Sequence, residues 1–270
     1  MSHTKPPISA AKTALVLSGG GARAAYQVGV LQALVTLRRE RLGEGAPIGD
    51  MTGYERSQRL AVPMRLGSEH LLASAAIPFV FPAQRIEHAE HAGWYGDGSM
   101  RQTAPISPAI HLGAQRMLII GVGRMHEPRG RIVRNGGYPT LAQVGGHVLS
   151  NVFLDSLAVD VERMQRVNRT LEMMTLGQRM ATSLRPVKAL VIAPSERIDD
   201  IAARHQKHLP RTVRALLRSV GSSSASSDLS GSALASYLLF EAPFTQEVMA
   251  LGKRDTLAQQ REVCDFFGWS

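Results

Sequence analysis

The chain has 270 residues, of which 44% are hydrophobic and 20% are charged, a composition typical of a globular protein with one large domain or two small ones. Its apolar runs are far shorter than the ~20 residues that span a bilayer, and the polar start lacks a signal-peptide pattern, so we expect a cytoplasmic protein. The net charge of +9 favours an anionic partner, and because nucleic-acid-binding motifs are absent we expect a lipid or membrane surface, contacted peripherally.

The first motif along the chain joins a strand to a helix through glycines. Residues 13–17 form a short apolar run that ends at Gly19, Gly20 and Gly21, which is typical of a buried parallel strand that meets a tight turn. Apolar residues then recur at helical spacing over residues 28–35. The sequence therefore places the three glycines at the N-terminus of a helix.

Helices and strands alternate through the middle of the chain. Residues 70–77 have the composition of a helix that a proline ends, and residues 94–99 form a glycine-rich turn that presents Asp97. Residues 117–122 and 189–193 are apolar runs of the length of buried strands. This alternation predicts an α/β fold with a mainly parallel sheet.

The remaining segments are predicted to be helical or flexible. Apolar residues at three- and four-residue steps over residues 149–171 predict one long amphipathic helix. Residues 221–236 are serine-rich, which predicts a flexible linker. We therefore expect a domain of residues 1–220, this linker, and a C-terminal tail of helical additions over residues 237–270.

The three consecutive glycines have a chemical interpretation. Gly19, Gly20 and Gly21 let backbone N–H groups converge where the helix dipole favours negative charge, so the turn is suited to bind an anion. If that anion forms during ester cleavage, the turn is an oxyanion hole, and Arg23 would reinforce it. The same glycines are also compatible with a turn that serves only the close packing of strand and helix.

A dinucleotide-binding site is a rival interpretation of this turn. Residues 19–24 satisfy the relaxed dinucleotide fingerprint, in which an alanine replaces the last glycine. That fingerprint also requires a second strand that ends in an acidic residue about 20 residues further on, but no apolar strand precedes Glu40 or Glu44. The fingerprint is incomplete, and nucleotide binding ranks last among the hypotheses.

Three short segments together carry a more specific signal: Ser18-Gly19-Gly20-Gly21-Ala22-Arg23, Ala73-Ser74-Ala75-Ala76-Ile77-Pro78 and Gly96-Asp97-Gly98. In this order the chain resembles the patatin-like phospholipases over residues 13–37 and 52–123, and its later part is similar to a bacterial branch of that family. The resemblance implies a layered α/β fold and a Ser–Asp dyad that hydrolyses lipid acyl esters. It also implies that Asp97 is the dyad base, that Gly19, Gly20, Gly21 and Arg23 form the oxyanion hole, and that neither a cofactor nor a metal is needed.

The nucleophile of that dyad is missing. The family requires a G-x-S-x-G elbow, and no serine here has glycine at both the second preceding and the second following position. Ser223 comes closest, with Gly221 before it and Ala225 after it, but it lies in the serine-rich segment with no strand ahead of it. Only 14 residues separate Leu37 from Thr52, which is too few for the elbow and its flanking elements.

These observations predict an internally truncated patatin-like domain with a deletion junction near residues 43–51. We expect a lipid acyl hydrolase family member that is catalytically impaired, and the sequence leaves open whether it is an enzyme. The main alternative is a noncatalytic protein that binds anionic lipid surfaces. The deletion is also expected to uncover apolar edges beside the first strand, which would lower stability and promote aggregation. No protein partner follows from the sequence.

Overall fold

The computed structural model describes residues 12–43, 54–56, 59–61, 67–77, 81–87, 92–98, 104–125, 141–150, 156–211, 213–215 and 229–269. The strands in these residues are β1 (Thr13–Leu17), β2 (Tyr54–Arg56), β3 (Arg59–Ala61), β4 (Gln84–Ile86), β5 (Gly93–Tyr95), β6 (Arg116–Ile120) and β7 (Lys188–Ile192). The α-helices are α1 (Ala25–Leu42), α2 (Ser68–Ser74), α3 (Ser107–His111), α4 (Leu141–Ser150), α5 (Ser156–Met173), α6 (Leu176–Met180), α7 (Ile198–His205), α8 (Leu229–Leu238), α9 (Ala242–Ala258) and α10 (Gln260–Phe267). Two 3₁₀ turns, Gly21–Ala24 and Gln206–His208, precede α1 and follow α7.

The main sheet is open and parallel, with three strands in the order β1-β6-β7. Thr13 pairs with Arg116 in β6, and Arg116 pairs in turn with Lys188 in β7. The remaining described strands form two separate antiparallel pairs, β2 with β3 and β4 with β5. The predicted α/β class with a mainly parallel sheet is therefore confirmed.

Two hydrophobic cores cover the two faces of this sheet, because successive strand residues point to opposite sides. Leu118 and Ile120 of β6 pack in one core with residues of α1, α7 and α9. Met117 and Ile119 of β6 pack in the other core with Leu157 and further residues of α5. The apolar run that predicted β6 therefore reflects burial on both faces, whereas Leu15 and Leu17 of β1 are 49% and 46% exposed, so β1 is less buried than its sequence predicts.

Helices α1 and α9 pack closely because each has a glycine at the contact. A Cβ atom on Gly29 would lie 1.9 Å from the carbonyl oxygen of Met249, and one on Gly252 would lie 2.2 Å from that of Tyr26. Neither backbone carbonyl can retreat without a shift of its helix. The two glycines therefore set the distance at which the C-terminal helices dock on α1.

The structure corrects two predictions about the later segments. The predicted single helix over residues 149–171 is two helices, since α4 ends at Ser150 and α5 begins at Ser156, with 151–155 outside the described residues. The predicted linker is a helix from Leu229 onward, because tertiary contacts bury Ser232 and Ser236 completely. Its earlier part, with Ser223, lies outside the described residues, as do 44–51 of the proposed junction.

A smaller correction concerns the turn that was predicted over residues 94–99. Trp94 and Tyr95 are strand residues, because β5 pairs with β4. The turn begins after them and carries Asp97, as predicted, while residues 99–100 lie outside the described residues. Within the described part of the chain, no helix has both the length and the apolar character required to cross a membrane.

The close α1–α9 contact generates a first prediction. Gly29→Ala should lower the free energy of unfolding by about 3 kcal/mol, because the new methyl group would overlap the Met249 backbone and force the helices apart. Gly177→Ala in α6 is the matched control, since no heavy atom lies within 4 Å of its added Cβ. Chemical denaturation of both variants measures the difference, and equal stabilities would show that α1 and α9 do not pack as described.

Candidate functional site

The glycine turn, residues 18–21, connects β1 to the helical segment that follows. The backbone N–H of Ser18 donates to the carbonyl of Ile120 at 3.2 Å, and its hydroxyl oxygen accepts from the N–H of Val122 at 3.1 Å. The side-chain amide of Gln27 donates to the Ser18 carbonyl at 2.7 Å. These bonds fix the turn at the carboxyl ends of β1 and β6, where α/β folds place their functional loops.

Glycine is required inside this turn because other groups approach its backbone. Gly21 has a φ of +54°, and a Cβ atom there would lie 2.5 Å from the carbonyl oxygen of Tyr237 and 3.0 Å from Cδ1 of Ile77. A Cβ atom on Gly20 would lie 2.6 Å from Cγ2 of Val122. Gly20 and Gly21 are accordingly buried, whereas Gly19 keeps partial contact with solvent.

Arg23 is buried beneath α8 and makes four contacts that we call the arginine clamp. Its guanidinium forms an ion pair with Asp199, and its Nε donates to the hydroxyl of Ser236 at 2.7 Å. It also donates to the carbonyl of Ala233 at 3.4 Å and stacks over the ring of Tyr237 at 4.0 Å. The guanidinium is therefore engaged with the protein's own C-terminal segment, which favours a structural role for it.

Asp97 follows β5 and is also buried, with 8% of the residue exposed. Its backbone N–H donates to the carbonyl of Ala76 at 3.0 Å. Ala73, Ala76 and Ile77 are buried around the end of α2, so this hydrogen bond attaches the aspartate turn to a packed segment. The aspartate is thus held at a fixed place in the fold.

The structure brings the three predicted segments together. Ile77 contacts the glycine turn at Gly21, and its neighbour Ala76 accepts the hydrogen bond from Asp97. The segment at the end of α2 therefore joins the glycine turn to the aspartate turn. Gly19, Gly20, Gly21 and Asp97 belong to one region, whereas the side chain of Arg23 is directed into the clamp.

A second polar network lies beyond the carboxyl end of β7. Asp255 of α9 accepts hydrogen bonds from the hydroxyl and the backbone N–H of Ser195, at 2.6 and 3.0 Å, and from the hydroxyl of Tyr26 at 3.0 Å. Burial raises the pKa of Tyr26 above its ordinary value, and the negative charge of Asp255 raises it further. The three donors occupy both carboxylate oxygens, so this network ties the β7–α7 loop and α1 to α9.

Charged groups also link α7 to α9 at the surface. Arg204 and His205 of α7 both contact the carboxylate of Glu247, each at 2.5 Å. The hydrogen bond from Arg204, and then that from His205, lower the pKa of Glu247. Among the residues that the structure describes, no group of three or more His, Cys, Asp or Glu side chains could hold a metal ion.

The topology argues against the dinucleotide interpretation. In that fold the strand after the first helix lies beside the first strand in the same parallel sheet. Here β2 follows α1 but pairs antiparallel with β3, and the neighbour of β1 is β6. Among the strands that the structure describes, none lies beside β1 to carry an acidic residue from the end of α1 to a ribose.

The arginine clamp and the Asp255 network were not predicted from the sequence. Asp199 lies 176 residues from Arg23, and Ser236 lies 213 residues from it, so local spacing gives no signal for either contact. Asp199 lies in the first turn of α7, but acidic residues are common there because they complement the helix dipole, so its position gives no specific signal for the clamp. A single sequence does not distinguish these roles.

Comparison of the chain with protein-family models gives no match, and a search of curated proteins gives none either. The resemblance to the patatin-like phospholipases therefore stays a prediction that rests on the three short segments of sequence. In the structure these segments contact one another through Gly21, Ile77, Ala76 and Asp97.

The buried ion pair generates a second prediction. Asp199→Ala should lower the free energy of unfolding by about 3–5 kcal/mol, because it leaves the buried Arg23 guanidinium without its counter-charge. Glu162→Ala removes the partner of Arg166 in an exposed ion pair of α5 and should cost at most about 0.5 kcal/mol. Urea denaturation compares the two, and similar small losses would mean that the clamp does not form.

Proposed function

We propose that this chain is a member of the patatin-like lipid acyl hydrolase family that retains the oxyanion turn and the dyad aspartate but lacks the nucleophile, and so does not turn over esters. The observation that carries the proposal is the contact of Ile77 with Gly21 together with the hydrogen bond from Asp97 to Ala76. Segments far apart in the sequence thereby meet in one place. Their assembly is what a hydrolytic site of this kind requires.

Each retained group has a defined chemical task in this proposal. A loop aspartate such as Asp97 would accept the proton of an attacking serine, and N–H groups of the glycine turn would stabilise the oxyanion of the tetrahedral intermediate. The serine itself, with the strained turn that exposes it, is the absent component. Without it no acyl-enzyme forms, and the remaining groups can bind a ligand but cannot cleave it.

The covering of the glycine turn supports the loss of turnover. The carbonyl oxygen of Tyr237 lies against Gly21, and the clamp draws Arg23 toward α8. A carbonyl oxygen is an acceptor, so it occupies space beside the turn without supplying a donor for an oxyanion. Only Gly19 among the three glycines keeps partial exposure to solvent.

The connection after α1 also supports an internal deletion. Helix α1 ends at Leu42, and β2 begins at Tyr54 in a separate antiparallel pair. A strand, an elbow and a following helix do not fit in residues 43–53, because a helical crossover alone needs at least about 10–12 residues besides its strands. We propose that the nucleophile was lost with this segment.

Intact mass spectrometry after incubation with a fluorophosphonate tests the proposal. We expect no adduct on the chain, on Asp97→Ala, or on Asp160→Ala, which removes a carboxylate of α5 that is equally buried at 8%. A stoichiometric adduct that Asp97→Ala abolishes and Asp160→Ala retains would contradict the proposal. It would mean that another serine acts as nucleophile beside Asp97.

Binding to an anionic lipid surface is a second candidate function, and exposed apolar side chains near Asp97 favour it. Leu72 of α2 is 57% exposed, and Trp94 and Tyr95 of β5 are 72% and 43% exposed. Helix α2 packs on β4, which pairs with β5, so the three residues belong to one unit beside Asp97, in which Trp94 and Tyr95 lie on opposite faces of β5. Exposed Trp and Tyr with a net charge of +9 suit a peripheral contact of a cytoplasmic protein with anionic headgroups.

Vesicle flotation tests this second function. The chain should float with anionic vesicles but not with neutral ones, and about 1 M salt should release it because the Debye length falls to about 3 Å. Trp94→Ala should weaken partitioning about tenfold, since it removes a large apolar side chain from the contact. Met180→Ala, at a position 81% exposed on α6, is the control. Equal flotation of both variants would show that Trp94 does not contribute to membrane binding.

A further inference from the structure

Two histidines lie side by side where α7 passes into the 3₁₀ turn Gln206–His208. The Nδ1 atoms of His205 and His208 are 3.3 Å apart, whereas the ring centroids are 5.4 Å apart, so the rings meet through their nitrogen-bearing edges. In a 3₁₀ turn, side chains three residues apart eclipse each other, which explains why both rings lie on one side of the chain. We call His205 and His208 the histidine pair.

The contact with Glu247 determines which nitrogen of His205 is available as a ligand atom. Arg204 donates to one oxygen of the Glu247 carboxylate, and Nε2 of His205 lies 2.5 Å from the other. An ionised carboxylate only accepts hydrogen bonds, so Nε2 carries the proton. In the neutral ring the lone pair is then on Nδ1, the atom that faces His208.

Packing holds both rings in place. Phe244 of α9 is fully buried, and its ring meets His205 edge to face, with the centroids 6.3 Å apart. Leu209 follows His208 directly and is buried, and its backbone N–H donates to the carbonyl of Gln206 at 3.2 Å. The two rings are therefore presented by packed segments, as a preorganised pair of ligands requires.

The separation of the two Nδ1 atoms matches that of a metal chelate. Zinc binds histidine nitrogen at about 2.0–2.1 Å in tetrahedral geometry, which sets two such nitrogens about 3.3–3.4 Å apart. The histidine pair has 3.3 Å. The contact of His205 with Glu247 adds the partner that metal-bound histidines nearly always have, a hydrogen-bond acceptor on the ring nitrogen that does not bind the metal.

We propose that the histidine pair binds a divalent transition-metal ion, with zinc as the best fit, through its two Nδ1 atoms. Imidazole nitrogen suits zinc, copper and nickel, whereas calcium and magnesium take oxygen ligands. Within the described residues no third His, Cys, Asp or Glu side chain completes a set of three ligands, so water or the oxygen of a bound anion fills the remaining positions. The ion joins the end of α7 to the turn that follows it, and Glu247 extends this link to α9.

Two cationic groups near the pair are bound to acceptors. Glu247 balances the charge of Arg204. The guanidinium of Arg214 donates to the carbonyls of Lys207 and Leu209, at 2.5 and 2.9 Å, so its charge is directed at the backbone of the turn. These acceptors reduce the repulsion that a metal ion meets at this place.

Calorimetric titration of the full chain, without a histidine tag, with zinc chloride tests the proposal. His208→Gln should weaken zinc binding about 100-fold or more, because glutamine keeps a hydrogen bond to His205 but removes a ligand nitrogen, a larger loss than that of an outer partner. His111→Gln, at an exposed position of α3, is the matched control and should leave the affinity unchanged.

The role of Glu247 has its own test. Glu247→Gln should raise the zinc dissociation constant about 10–100-fold, because it weakens the acceptor that orients His205. Glu162→Gln, which alters the exposed ion pair with Arg166 on α5, should not change that constant. Equal affinities of these two variants would contradict the role of Glu247.

Chemical labelling locates the ion without any substitution. Diethylpyrocarbonate modifies accessible imidazole rings, and mass spectrometry identifies the modified residues. Zinc should protect His205 and His208, which are partly exposed, whereas the exposed His111 should be labelled equally with and without the ion. Because this measurement uses the unmodified chain, it locates the ion even if a variant unfolds.

Three outcomes would overturn the site. The chain could bind no zinc, His208→Gln could bind it as tightly as His111→Gln, or zinc could leave the labelling of His205 and His208 unchanged. Zinc binding that persists in His208→Gln would place the ion on other histidines of the chain.

Discussion

The buried guanidinium of Arg23 is the constraint on which the rest of the site depends. A charge with little contact with water must be paired and hydrogen-bonded, and the chain supplies Asp199 from α7 and Ser236 from α8. The first helical segment and the C-terminal third of the protein are thereby tied together. Because Arg23 follows the glycine turn directly, the position of that turn is set by a helix more than 200 residues away.

This constraint has a consequence for function. When α8 is drawn over Arg23, the carbonyl of Tyr237 comes to rest against Gly21, and the turn is closed on that side. On the other side Ile77 connects the turn to Asp97 through Ala76. In our proposal the protein keeps the architecture of a hydrolytic site as a packed and partly covered region, while the component that starts the reaction is missing.

Short apolar runs predicted β1, β6 and β7, because strands covered on both faces admit few polar residues, although Leu15 and Leu17 of β1 remain about half exposed. The glycine turn and Asp97 were predicted because their backbone demands are local. The helical state of residues 229–236 was not predictable, since serine composition indicates flexibility. Burial of Ser236 becomes favourable through hydrogen bonds with the distant Arg23 and Asp199 and with the carbonyl of Ala233. The neighbour order in the sheet is likewise a long-range property that one sequence does not specify.

The most direct test of the account is whether the glycine turn and the α2 segment touch in solution. Nuclear Overhauser effects between the Ile77 δ1 methyl group and the Gly21 α protons measure this contact. The structure places that methyl carbon 3.0 Å from the Cβ position of Gly21, so a strong cross-peak is expected. A resolved methyl signal without this cross-peak would show that the segments do not meet, and the proposed site would then have no structural basis.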